Sequence, residues 1–179
     1  MKNKVALLDK EYGRLDALVL NQHVMTGSII SYRLVTHYNN VYLLRDIVLD
    51  DVPFDLARAD ILFLHHLLEL CYHFIPVASS VHDLFDLLLF LYSAEEIWWT
   101  RAKKKLFLFR LLMTIGFYST QLAADKTIVK QLMQVPFDTI VAETYAKEYE
   151  EAIGDWLRYC VSEHPHVQKF NTMHFLVRE

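Results

Sequence analysis

The chain is poor in the residues that mark long loops, disulfide frameworks and metal-binding knuckles. Among 179 residues there are four glycines and four prolines, too few for long loops or disordered segments. The two cysteines, Cys71 and Cys160, form no C-x-x-C pair, which argues against a zinc ribbon. Their apolar helical contexts predict buried thiols in a reducing compartment, so we expect a cytoplasmic protein.

The sequence also lacks the motifs that announce catalysis or membrane insertion. It has no glycine-rich phosphate loop, no Ser-His-Asp order and no nucleophile elbow, so we predict no enzyme, no cofactor and no small-molecule substrate. The N-terminus has no long apolar run and no cleavage site, which predicts no signal peptide. The longest nearly uncharged run, Leu106 to Ala124, is interrupted by Arg110, so we expect no membrane span.

Positive charge is concentrated in one place. The net charge is −4, yet Arg101, Lys103, Lys104, Lys105 and Arg110 form a basic block in the middle of the chain. Helical spacing places Arg101, Lys104 and Lys105 along one face. Such a face either solubilises the protein or contacts phosphates, and a net acidic chain is unusual for a duplex-DNA binder but compatible with a local groove for a single strand.

Strand patterns come before Pro53 and helical patterns after it, which predicts an α+β fold. Lys4–Leu8 and Leu15–Leu20 flank Gly13, and Ser28–His37 and Val41–Asp50 flank Asn39-Asn40, so each pair predicts a hairpin. Four such strands suffice for part of a small barrel. We therefore expect a strand domain over residues 1–52 and a helical domain over residues 53–179.

The helical part is predicted to surround the segment from Asp55 to Ile75. That helix is apolar almost all round, with Asp55 as its cap, and should be the most buried element. Further helices are expected from Ser79 or Ser80 to Leu91, from a capping box at Ser93 and Glu96 to about Tyr118, over Ala123–Gln134, and from Pro136 to about Ser162.

Four polar residues on the first helix, His65, His66, Glu69 and His73, resemble a metal site at first sight. Their spacing is not that of the H-E-x-x-H motif, in which a zinc protease has its glutamate base directly after the first of two histidines. A polar stripe hydrogen-bonded to neighbouring elements is the preferred interpretation, and we predict no metal site. An enzyme built on this stripe is the remote alternative.

Five segments resemble, in order, the bacterial DNA repair protein RecO family. They are KVALLDKEYGRLDALV, GSIISYRLVTHYNNVYLLRDIVLDDVP, ADILFLHHLLELCYHFIP, KKKLFLFRLLMTIGFY and EHPHVQKFNTMHFL. The first two resemble strands of the family's OB-fold, with Gly13-Arg14 at the turn, and the others resemble its helices and closing segment. The resemblance implies an incomplete OB-like barrel followed by an all-α helical bundle.

The same resemblance implies a non-enzymatic factor of recombinational DNA repair. Its partners would be single-stranded DNA and a recombination mediator protein similar to RecR. Contacts to the phosphate backbone of the DNA would come from six cations: Arg14, Arg33, Arg101, Lys103, Lys104 and Lys105. Tyrosines of the strand region could stack on bases, or could simply favour strands: Tyr12, Tyr32, Tyr38 and Tyr42. The alternative function is a protein–protein adaptor whose helical surface binds partners without nucleic acid.

Three differences from the family pattern bear on DNA binding. The chain starts after the position of the family's first strand, the basic loop is reduced to Asn21–Thr26, and the segment after Tyr118 has no room or cysteines for a zinc-bearing insert. Since few cations remain, we expect weak binding with little sequence preference.

Overall fold

The computed structural model describes residues 2–37, 41–77, 79–93, 100–117, 126–137, 139–165 and 170–172. Four strands come first: β1 (Lys2–Asp9), β2 (Gly13–Leu20), β3 (Ile29–His37) and β4 (Val41–Asp51). The helices of the described chain follow: α1 (Phe54–Phe74), α2 (His82–Ser93), α3 (Arg101–Thr114), α4 (Lys126–Gln134), α5 (Ile140–Glu148) and α6 (Glu150–Ser162). This confirms the predicted α+β class, with an open barrel before a helical region.

The sheet consists of two hairpins joined side by side, in the order β1-β2-β4-β3. Strands β1 and β2 pair antiparallel, as do β3 and β4. Between the hairpins, β2 and β4 pair in parallel from Ala17↔Tyr42 to Val19↔Leu44. The sheet stays open because β1 and β3, its two edges, are not paired with each other in the described residues.

The turn between β1 and β2 has the predicted chemistry. Gly13 has φ +66°, a left-handed backbone conformation that residues other than glycine rarely adopt. Asp9 fixes the turn because its Oδ1 accepts hydrogen bonds from the backbone N–H groups of Glu11 and Tyr12, both at 2.8 Å. The other predicted turn, at Asn39-Asn40, lies outside the described residues.

The predicted cap of α1 is wrong, because the helix starts at Phe54 without a side-chain cap and Asp55 lies in its first turn. The helix is interrupted at Asp60, whose φ of −156° and ψ of 85° are not helical. There Asp60 Oδ1 accepts a hydrogen bond from the N–H of Phe63 at 2.9 Å. An N-cap side chain accepts a hydrogen bond from the N–H three residues later, as Asp60 does here. Asp60 therefore caps the second part of α1.

The most buried helix is α3, not the Asp55–Ile75 helix that the sequence predicted. Ten of the 14 residues of α3 are buried, against eight of the 21 residues of α1. Helix α3 packs against α1, α2, α4, α5 and α6, so it has neighbours all round. It is therefore the central helix, whereas α1 leaves one of its faces in solvent.

Two other helix predictions need correction. The helix expected from Ser93 begins instead at Arg101, capped by Thr100, which accepts from the N–H of Lys103. Ser93 is the last residue of α2 and donates a hydrogen bond to the carbonyl of Phe90, while Glu96 of the predicted capping box lies outside the described residues. The single helix expected after Pro136 is two helices, α5 and α6, with Tyr149 between them. Thr139 caps the first of the two.

Hydrophobic residues form a large cluster in the helices and a small one in the sheet, around Ala17, Val19 and Leu44. Cys71 and Cys160 are buried free thiols in the helical cluster, as predicted. Among the described helices, none has both the length and the apolar character of a transmembrane span.

Candidate functional site

Two cations of the basic block converge on one carboxylate of the last helix. Glu150 Oε1 lies 3.2 Å from Arg101 Nε and 2.9 Å from Lys105 Nζ. The Lys105 side chain is 13% exposed and that of Arg101 is 54% exposed. The pair with Lys105 is therefore partly buried and fastens α3 to α6, while Arg101 keeps much of its surface in solvent.

Lys104 faces a different neighbour. Its Nζ lies 2.6 Å from Asp60 Oδ2 and 5.5 Å from the centre of the Phe63 ring. Burial acts to raise the pKa of Asp60, but hydrogen bonds from Lys104 and from the N–H of Phe63 outweigh it, so the pKa is lowered overall. Lys104 thus ties α3 to the interruption in α1, and its charge stabilises the carboxylate that caps the second part of α1.

The remaining cations of α3 lie in the protein interior. Lys103 is 4% exposed and has interaction partners. Arg110 is 7% exposed; its guanidinium donates to the carbonyl oxygens of Leu132 and Val135 and lies 4.1 Å from the centre of the Phe137 ring. These carbonyls belong to the end of α4 and the residue after it, where a helix leaves acceptors unsatisfied. Burial lowers the pKa of Arg110 to about 10.

On the strand region, Arg33 is exposed enough to meet a phosphate. Its Nη2 lies 2.8 Å from Asp46 Oδ2, but the two side chains are 64% and 67% exposed. An exposed pair of this kind contributes only about 0–1 kcal/mol, so a phosphate can replace the carboxylate. Arg45 is also exposed and lies opposite Arg33 in the pairing of β3 with β4.

Arg14 holds the first hairpin against α1. Its guanidinium donates to the carbonyl oxygen of Tyr72 and lies 5.0 Å from the centre of the Tyr72 ring. The Nε of Arg14 is buried without a hydrogen-bond partner. No carboxylate pairs with Arg14 in the described chain. The sequence predicted a phosphate contact here, and the structure adds a role at the contact between sheet and helices.

A cavity of about 460 Å³ lies between the sheet and the helices. Its walls are the end of β1, the segment 24–30, Tyr32, and the facing residues of α1 and α2. Most of the lining is apolar, and Arg14, Tyr32 and Tyr92 supply polar groups. No pattern in the sequence predicts this cavity, because it forms where elements distant along the chain meet.

The four tyrosines proposed as stacking surfaces have different environments. Tyr12 is 52% exposed at the first turn. Tyr32 donates its hydroxyl hydrogen bond to Asp9, and burial together with that carboxylate raises its pKa. Tyr42 packs against the small sheet cluster, and Tyr38 lies outside the described residues. Of the four, Tyr12 has the exposure that base stacking needs.

The polar stripe of α1 binds the closing segment of the chain. Glu69 accepts hydrogen bonds from the N–H of Asn171, and from the N–H and hydroxyl of Thr172. Burial tends to raise the pKa of Glu69, but these hydrogen bonds lower it overall. His66 Nδ1 lies 2.9 Å from Thr172 Oγ1, and His73 packs on Phe170. Within the described residues, no group of three or more metal-ligating side chains is assembled.

Placed in the structure, the six predicted DNA-contact residues do not form one surface. Arg14 and Arg33 belong to the sheet, Arg101 and Lys105 point to α6, Lys104 points to α1, and Lys103 is buried. Their contact with phosphate remains a prediction. Comparison of the chain with protein-family models, curated proteins and solved structures finds no match.

Proposed function

We propose that this protein is a non-enzymatic factor of recombinational DNA repair that binds single-stranded DNA and a mediator protein similar to RecR. The observation that supports the proposal is the strand order. An OB-fold is a five-stranded Greek-key barrel in which two hairpins are joined by a parallel strand pair and the first strand closes the side. When the first strand is removed from such a barrel, the four remaining strands have the order and directions found here for β1, β2, β4 and β3.

In this proposal DNA is held by few cations, and weakly. Arg33 and Arg45 on the second hairpin and Arg101 at the start of α3 are exposed enough to meet phosphates. On the first hairpin, Lys4 forms an exposed pair with Asp16 at 3.0 Å, which a phosphate can replace as it can the pair of Arg33. With only three or four neutralised phosphates, the logarithm of the affinity should fall with the logarithm of salt by a slope of roughly two to three, about 0.7 for each phosphate of a single strand.

The experiment is a titration of a fluorescein-labelled oligothymidine by anisotropy, from about 20 to 200 mM salt. Charge reversal at Arg33 or Arg101 should weaken binding equally for all sequences and lower the salt slope, because phosphate contacts carry no sequence information. Lys130→Glu, an equal charge change at an exposed site on α4, is the control. Reversal at Lys104 and Lys105 should also weaken binding, but it breaks their ion pairs and needs a stability measurement beside it.

A second candidate, a protein–protein adaptor without nucleic-acid binding, is favoured by the solvent face of α1. Phe54, Ile61 and Leu62 on this helix are 66%, 47% and 46% exposed. Clustered exposed apolar residues are typical of partner-binding surfaces. The ion pairs of the α3 cations also favour an adaptor, because the carboxylates reduce the positive potential of this surface.

One measurement separates the candidates, and a second locates the docking surface. The adaptor predicts no anisotropy change with single-stranded DNA even at low salt, whereas the repair factor predicts a saturable one. Ile61→Glu should abolish binding to a purified recombination mediator if the α1 face is the docking surface. Val141→Glu places the same charge at an exposed valine of α5 and should leave that binding unchanged.

A further inference from the structure

The cavity between sheet and helices has the size and walls of a small-molecule site. Its volume of about 460 Å³ falls within the roughly 300–1,000 Å³ usual for ligand pockets. Val5 and Leu7 of β1, Ile30 of β3, and Leu68 and Leu88 of the helices supply apolar walls. A ligand with an apolar body would therefore replace water against hydrocarbon on several sides.

The polar groups in these walls have unused hydrogen-bonding capacity of one kind. Arg14 carries a positive charge without a carboxylate partner in the described chain, and its buried Nε donates to nothing. The hydroxyl of Tyr92 has no hydrogen-bond partner among the described residues and lies 3.6 Å from the position of a Cβ on Gly27. Burial raises the pKa of Tyr92, which keeps this hydroxyl protonated and able to donate.

The carboxylate that also lines the cavity is already satisfied. Asp9 accepts two backbone N–H groups through Oδ1 and the Tyr32 hydroxyl through Oδ2. At the rim, Lys10 and Asp86 pair with each other at 2.8 Å. Among these groups Arg14 and Tyr92 can donate to a ligand, and Arg14 is cationic.

We propose that this cavity binds a small amphiphilic anion, an alkyl or aryl body with one carboxylate that accepts hydrogen bonds from Arg14. A hydrogen bond between a charged donor and a carboxylate contributes about 1.5–3 kcal/mol. A carboxylate ligand therefore gains more binding free energy from Arg14 than a ligand of equal length with a neutral head group. The apolar body adds affinity through buried area, without directional demands.

The test compares octanoate with 1-octanol by isothermal titration calorimetry on the full-length protein. Octanoate should bind one to one and about tenfold or more tighter than 1-octanol, since about 1.4 kcal/mol corresponds to a factor of ten. 4-Phenylbutyrate, as a second carboxylate, distinguishes an aryl body from an alkyl one. Failure of both carboxylates to bind at millimolar concentration would overturn the proposal.

Two variants locate the site. Val24→Phe puts a larger side chain into the cavity wall and should weaken octanoate at least tenfold, whereas Val48→Phe makes the same change on an exposed part of β4 and should have no effect. Arg14→Gln should bring octanoate to the affinity of 1-octanol. Because Arg14 also fastens the hairpin to α1, circular dichroism must show that the Arg14→Gln variant is folded. If that variant is unfolded, the effect of Val24→Phe on octanoate binding decides whether the cavity is the site. Unchanged octanoate binding by Val24→Phe would exclude this cavity as the site.

Discussion

Replacing Glu150 by glutamine tests whether the basic block serves the fold or a phosphate ligand. The substitution keeps the side-chain shape but removes the charge that Arg101 and Lys105 share. A fully exposed pair contributes about 0.2–1 kcal/mol, and removing one partner of a buried pair costs about 3–5 kcal/mol. With side-chain exposures of 28% for Glu150 and 13% for Lys105, this pair lies between the two cases.

We therefore expect Glu150→Gln to lower the free energy of unfolding by about 2 kcal/mol. For a chain of this size that corresponds to a loss of roughly 4–8 °C in Tm, measured by calorimetry and checked by urea denaturation. The control is Glu148→Gln, a charge change at an exposed residue of α5 without an ion pair in the described part of the chain, which should cost less than about 0.5 kcal/mol.

DNA affinity gives a second readout of the same variant. If α3 contacts phosphates, Glu150→Gln should bind single-stranded DNA more tightly, because Arg101 and Lys105 are released and a repelling carboxylate is gone. Equal stability of Glu150→Gln and Glu148→Gln would refute the structural role argued for this pair. Tighter binding in both variants would trace the effect to net charge rather than to the released cations.

Three further outcomes follow from buried groups and backbone geometry. Stability should fall as the pH drops from 6.5 toward about 4, because burial lowers the pKa of His66 to about 4 and the unfolded chain then binds more protons; His66→Gln should flatten this slope in urea titrations. Gly13→Ala should cost more than about 2 kcal/mol in urea denaturation, since its Cβ would lie 2.1 Å from the Ser79 carbonyl oxygen; Gly116→Ala, also at positive φ but in open space, should cost less. Burial raises the pKa of Cys71 to about 12, so a thiol reagent at pH 8 should label it only after unfolding, and rapid native labelling would contradict its placement.

The strand part of the fold could be predicted because local chemistry decides it. Alternating apolar residues and a glycine at the turn specify the first hairpin without help from the rest of the chain. The order of the two hairpins in the sheet was not predicted, since periodicity alone cannot tell which strands pair in parallel. Burial of Cys71 and Cys160 also followed from pattern, because each lies among large apolar residues at helical spacing.

Which helix lies at the centre of the helical part could not be predicted from local pattern. Residues 54–74 are more continuously apolar than α3, yet α1 keeps Phe54, Ile61 and Leu62 in solvent. A count of apolar residues measures how much surface a helix would gain by burial, and it does not show how many neighbours surround that helix. The break at Tyr149 is similar, because no proline or glycine at that position marks it.

The basic block shows why a run of cations is ambiguous on a helix. Successive residues of an α-helix point about 100° apart, so Lys103, Lys104 and Lys105 spread over more than half of its circumference and cannot all face one groove. In the structure Lys104 reaches Asp60, Lys105 reaches α6, and Arg110 binds the end of α4. Long stems let each cation cover apolar surface while its charge meets a partner. Arg101, Lys104 and Lys105 have the three- and four-residue spacing of one face, yet Lys104 pairs with α1 and the other two pair with α6, so helical spacing alone does not indicate a phosphate-binding surface.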